Sequence, residues 1–206
     1  MNRRRIALAA AGAAGIAACW GATLAVRGLT GVPGIALDAD WARFVREHRG
    51  PPVTTVSQLL AVLGGAPWST VVTVALAALL WWRRGPRLAL LLVVAALVDQ
   101  GLLTAMKFVD QRPGPSGAVF EDRGSFPSGH TGFAAVVAVV LVLAARRPAT
   151  RAAALLLIPV MALSRTVVDA HWLTDTLAGA VCGASTALLV DALLPPMRRS
   201  RGGRAP

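Results

Sequence analysis

The sequence is poor in charge. Charged residues are only 15% of its 206 positions and hydrophobic ones 55%, whereas a soluble domain carries about 25% charged residues. With a mean hydropathy of +0.61, the chain is built to meet lipid. Acids are the scarcest charges: ten Asp and Glu stand against 21 Lys and Arg, for a net charge of +11 and a pI of about 11.7. Such a balance accompanies nucleic-acid binding. Here, however, the arginines stand in short clusters between apolar runs, so no nucleic-acid partner is expected. Cysteine is nearly absent. Cys19 and Cys182 each lie inside an apolar run, which excludes a disulfide framework. No CxxC or HExxH spacing occurs, so a zinc site is not expected. Internal repeats, low-complexity domains and the alternating pattern of a transmembrane barrel are missing too.

Long apolar runs are what the chain does have. Six are present, at residues 6–26, 67–82, 88–106, 131–145, 152–168 and 173–194. A bilayer core takes about 17–25 helical residues, and only helices or closed barrels satisfy the backbone in lipid. The expectation is an all-α integral membrane bundle of about six transmembrane helices. The second and fourth runs are short and would cross by tilting or by thinning the bilayer. Residues 1–196 form this membrane domain, and 197–206, "PMRRSRGGRAP" after its first proline, form a basic tail suited to anionic lipid.

Arginine sets the orientation. Arg3, Arg4 and Arg5; Arg83, Arg84 and Arg87; Arg146, Arg147 and Arg151; and Arg198, Arg199, Arg201 and Arg204 fall at every second boundary and hold thirteen of the 21 basic residues. By the positive-inside rule these ends are cytoplasmic. The chain then crosses the plasma membrane several times with both termini inside. Trp68 and the pair Trp81–Trp82 sit at opposite ends of the second run, as interfacial anchors do. Residues 27–66, 107–130 and 169–172 become outer loops. The first holds an amphipathic segment, 54–63, expected on the surface and ended by "GG" and "AP". Residues 1–19 also have the form of a signal peptide, with "IAAC" placing Cys19 at a lipoprotein-type cleavage site; cleavage there would leave five spans. The apolar run nevertheless continues past Cys19.

This topology gathers polar residues at one side. Lys107, Arg112, Arg123, Ser128, His130, Arg165, His171 and Asp175 all fall at or beyond the outer ends of the third to sixth runs. Any one of the cations alone reads as a snorkelling anchor; together they converge. His171 and Asp175 are four apart, a spacing that puts them on one helix face. The carboxylate can then fix one ring nitrogen and leave the other as base or nucleophile. "PSGH" is turn chemistry leading into the fourth run, and the first N–H groups of a helix suit an anion. His130 at that mouth can act as acid or base. Arg165, Lys107 and Arg112 add donors, and phosphate is the natural tenant. Asp99, inside the third run, is expected to make an interhelical hydrogen bond. Asp38, Asp40, Glu47, His48 and Asp169 are expected to be solvated loop groups.

The motifs "PSGH" (Pro127 to His130) and "SRTVVDAHWLTD" (Ser164 to Asp175) resemble the second and third signatures of the type 2 phosphatidic acid phosphatase (PAP2) superfamily. The third signature there reads SR, five residues, H, three residues, D, and Ser164, Arg165, His171 and Asp175 meet it in full. The first signature departs. The family reads K, six residues, RP; after Lys107 the chain has "FVDQRPGP", which puts Gly114 at the arginine position. Arg112 is the expected substitute, with Arg123 behind it. The resemblance implies a membrane lipid as substrate and a nucleophilic His171 that becomes a phosphohistidine. It also implies that Asp175 supports His171 and that His130 protonates the leaving group and then helps activate water. Lys107, Arg165, Ser128 and Gly129 N–H, with Arg112, would hold phosphate oxygens, and no metal or cofactor is implied. Two other classes compete. A serine hydrolase would use Ser128, His171 and Asp175, but the chain has no GxSxG elbow and leaves Lys107 and Arg165 without a purpose. A transporter or scaffold would place polar groups at mid-bilayer, where only Asp99 and Gln100 stand. Vanadium haloperoxidases use a related site, but those relatives are soluble.

Overall fold

The computed structural model describes residues 2–27, 35–116 and 124–195, in which every regular element is an α-helix. Eight are present: α1 (Arg3–Arg27), α2 (Ala36–His48), α3 (Pro51–Gly64), α4 (Trp68–Arg84), α5 (Pro86–Asp110), α6 (Gly129–Ala144), α7 (Pro148–Val167) and α8 (Leu173–Leu193). Each of the six apolar runs becomes one of the helices α1 and α4–α8. Glycine and proline set several boundaries. Gly85, at φ +96°, stops α4, and Pro86 opens α5 one residue later, the usual division of labour between the two residues. Pro51 and Pro148 likewise open α3 and α7. The tail beyond Pro195 and Arg123 lie outside the described residues.

The chain is a multi-pass membrane protein. α1, α5, α7 and α8 are each long and apolar enough to cross a bilayer alone. α3 and α4 pass that test only as a pair, and the pair is bent by 70° at its break. α6 is apolar throughout but has only 16 residues. By length and composition the count among the described residues is four, or five with the bent pair, so the exact count of six is not confirmed. Apolar side chains on α4, α5, α7 and α8 point outward; Val74, Leu97, Leu156 and Leu193 are each more than 60% exposed. That is the arrangement lipid-facing helices need, since lipid asks for no polar outer face.

α8 is the centre of the bundle, packed by α1, α5, α6 and α7. Its glycines set that closeness. A Cβ on Gly183 would strike the Gly132 carbonyl of α6, and one on Gly179 would strike the Ser128 carbonyl. The two backbones touch without side chains between them, the small-residue packing typical of membrane helices. Beneath this contact lies a core of Leu91, Leu92, Ala95, Val136, Val140 and Ala187, all wholly buried. At one end of the bundle Arg5 donates to the Ala192 and Leu194 carbonyls, and Arg87 pairs with Asp191 at 2.8 Å. That end holds the N-termini of α1 and α5 and the C-terminus of α8. The opposite end holds the C-termini of α5 and α7 and the N-termini of α6 and α8, and so all three motif segments.

α3 matches the amphipathic segment expected at 54–63, and it leans on α7 and α6. α2 corrects an expectation. Residues 36–48 are a helix, and Asp38 in it is wholly buried. A polar group held this far from water has to be bonded, and the bonds it makes belong to the site.

Candidate functional site

α5 ends at Asp110 because Gln111 turns left-handed, φ 51°. The chain then folds back on itself. Ser125 N–H donates to the Arg112 carbonyl at 2.7 Å, and Gly124 passes so near the Gln111 and Arg112 nitrogens that a Cβ there would lie within 2.7 Å of both. This return brings two carbonyls to Lys107, the only lysine in the chain. Its Nζ donates to Gly124 O at 2.9 Å and Ser125 O at 3.2 Å. The following segment ends at Ser128, which caps α6 in position though its hydroxyl bonds no backbone N–H of the helix. Ser128 is wholly buried, donates its N–H to the Asp175 carbonyl at 2.9 Å, and accepts from Thr131 Oγ1 at 3.2 Å. Gly129, next along, is the first residue of α6, and an N–H at a helix start suits an anion.

α7 ends in a tight turn that carries the third motif. The N–H groups of Ala170 and His171 both reach back to the Arg165 carbonyl, at 3.1 and 3.4 Å. His171 therefore sits in the turn before α8 and not on its helical face, so the expected shared face with Asp175 is corrected. The two are still neighbours: His171 Nδ1 lies 3.6 Å from Asp175 Oδ2, beyond hydrogen-bond length. The carboxylate is otherwise engaged. Its Oδ2 accepts from Trp172 N–H at 2.9 Å and its Oδ1 from Arg112 Nη1 at 2.8 Å. Burial holds the His171 imidazole below its ordinary pKa. Asp175 pulls the other way, and the charges of Lys107 and Arg165 add to the burial effect.

α3 covers the site from above. Arg165, 2% exposed, donates from Nη2 to the Ser57 carbonyl at 2.8 Å and from Nε to Ser164 Oγ at 3.2 Å. His130 Nε2 is 3.0 Å from the Ala61 carbonyl. Ser57 and Ala61 are one helical turn apart, so a single face of α3 meets both residues. Gly64 lets it come that close, for a Cβ there would stand 2.7 Å from His130 Cδ2.

Arg112, expected on phosphate, bridges two carboxylates. Nη2 is 2.7 Å from Asp38 Oδ2, Nη1 is 2.8 Å from Asp175 Oδ1, and Nη1 also donates to Thr174 Oγ1 at 3.0 Å. Asp38, expected in solvent, thus forms part of the site. Its signal was its register: Asp38, Ala42 and Val45 are the buried stripe of α2, and an aspartate on such a stripe calls for a partner. Asp169 is corrected as well. Mostly buried, it pairs with Arg46 at 3.1 Å and Arg49 at 2.6 Å, tying α2 to the turn after α7. His48 is exposed, and Asp40 makes only an exposed pair with Arg43. Asp99 is buried, and its Oδ1 has no hydrogen-bond partner. Among the described residues no group of three or more His, Cys, Asp or Glu is placed to hold a metal.

His130 and His171 thus each stand within reach of the charges of Lys107 and Arg165, at one end of an apolar helical bundle. Fold and site together define a membrane-embedded phosphatase. The PAP2 superfamily model matches residues 88–196, and the chain belongs to that superfamily. The fold is similar to that of a transmembrane PAP2-type phosphatidylglycerolphosphate phosphatase from Bacillus subtilis, with a TM-score of 0.71 and 21% identity over 85% of this chain and 94% of that one. It is also similar to LpxE of Aquifex aeolicus, with a TM-score of 0.66 and 23% identity over 77% of this chain and 97% of that one. Among curated proteins none matches.

Proposed function

We propose that the protein hydrolyses a lipid phosphate or diphosphate at the outer face of the plasma membrane, without a metal, through a phosphohistidine on His171. The observation that carries this reading is the meeting of His171, His130, Arg165 and Lys107 at one end of the bundle. His171 Nδ1 faces Asp175, which leaves Nε2 to attack. The N–P bond forms as the bond from phosphorus to the leaving oxygen breaks, and His130 gives that oxygen its proton. Water then attacks the phosphohistidine, His130 takes the water's proton, and inorganic phosphate leaves. Lys107, Arg165, Ser128 and the Gly129 N–H hold the phosphoryl oxygens as charge develops. Arg112 was expected to join them, but its terminal nitrogens are committed to Asp38, Asp175 and Thr174. Six crossings with both termini inside would place this end of the bundle outside, at the depth where lipid phosphates lie. Polyprenyl diphosphate is the first substrate to try, then phosphatidic acid, phosphatidylglycerol phosphate and other prenyl phosphates. A serine hydrolase has less support, because the Ser128 hydroxyl is buried against Thr131 and makes no hydrogen bond to His171.

The test is phosphate release by purified protein in EDTA across that lipid panel. Wild type is expected to release phosphate, and His171→Ala to release none. Folded wild type that is inactive on every lipid would overturn the reading.

A further inference from the structure

An aspartate from outside the three motifs reaches the nucleophile's support. Asp38 Oδ1 accepts from Thr174 N–H at 2.9 Å. Its Oδ2 accepts from Thr174 Oγ1 and from Arg112 Nη2, both at 2.7 Å. Thr174 is the second residue of α8, so its N–H is one of the groups a helix start leaves unpaired. The residue at the cap position is Trp172, which has no acceptor to offer. Asp38 supplies one from another helix, and its negative charge suits that helix end. Arg112 carries the chain of contacts onward to Asp175 Oδ1, 2.8 Å away, and Asp175 faces His171. Arg112 is 7% exposed, and its guanidinium lies over the Trp172 ring, 5.3 Å from the centroid. Removing one partner from a buried pair of this kind leaves an uncompensated charge. Three of its five N–H donors, including both of those on Nη1, are spent on this network.

Resting on the phosphatase reading, we propose that Asp38 is a positioning residue. Through Arg112 and Thr174 it fixes the start of α8 and the Asp175 carboxylate against His171, and it commits Arg112 to that network instead of to substrate. The departure from the family pattern at Gly114 then leaves Lys107 and Arg165 as the cations of the phosphate site.

The test compares the full-length protein with Asp38→Asn, Arg112→Gln, the double variant and Lys107→Ala. The readouts are kcat, KM and inhibition by inorganic phosphate. Asp38→Asn and Arg112→Gln are each expected to lower kcat on the order of 100-fold, the cost of misplacing a reacting group. KM and the phosphate inhibition constant should stay within about twofold, because no substrate contact is lost. The double variant should be no worse than the poorer single one. Lys107→Ala should instead weaken phosphate inhibition. Arg112→Gln behaving like Lys107→Ala would put Arg112 on the substrate and overturn the proposal, as would wild-type kcat in Asp38→Asn. A second readout needs no turnover: histidine-selective NMR, in which the ring signals of His171 should move in Asp38→Asn. Those of His48, at the far end of α2, should stay and report that α2 is folded. If wild type hydrolyses nothing, the phosphatase reading fails by itself, and unmoved His171 signals overturn the positioning role separately.

Discussion

At the scale of single residues, the site is a set of polar groups that the protein has already bonded. Lys107 sits on two carbonyls, Arg165 on one and His130 on another. His171 is the exception, since its Nδ1 has no hydrogen-bond partner. Burial lowers its pKa, so the neutral form persists in more acid solution than for a free imidazole. The acid limb of a kcat/KM profile is expected below about pH 6.5, the ordinary histidine value; a limb above that value would contradict the burial. Lys107→Ala and Arg165→Ala should each raise KM, since a hydrogen bond to a charged group contributes about 1.5–3 kcal/mol. Of these residues the motif spacing gave Lys107, His130, Arg165, His171 and Asp175. It could not give Asp38, whose place depends on how α2 docks, nor the carbonyls of Ser57 and Ala61, which every residue possesses.

At the scale of elements, runs of apolar residues proved legible and their ends less so. All six runs became helices, because in lipid the backbone has no other open structure available. The 54–63 segment became α3, with Pro51 and the glycine pair setting its limits. α2 was missed because its sequence is short, charged and followed by prolines, and it is helical through contacts with α7 and α8. Two predictions belong here. Gly183→Ala forces α8 away from the Gly132 carbonyl, and overpacking of this sort costs about 1–3 kcal/mol. Thermal unfolding in detergent should show the loss. Gly64→Ala, in contrast, presses on the His130 ring. It should reduce phosphate release by up to about 100-fold, the lower end of what a positioned acid–base group contributes, while the melting temperature changes little.

At the scale of the molecule, arginine placement yields an orientation that accessibility can check. Cys19 and Cys182 are both buried, so the wild-type background for thiol labelling is low. Glu47→Cys should react with a membrane-impermeant maleimide in intact cells, and Arg84→Cys only after permeabilisation. The reverse pattern would turn the protein over and move the site inside. The conversion of apolar runs into helices was the most legible part of the sequence, because hydropathy acts over whole segments. The number of crossings was the least, because α3 and α4 bend and α6 is short.

The contact between α6 and α8 has one more consequence. Where those helices carry His130 and Asp175 they meet through backbone, at Gly132, Gly179 and Gly183, so main chain sets the spacing there. α3 meets the site through the Ser57 and Ala61 carbonyls, bonds that any side chain at those positions leaves in place.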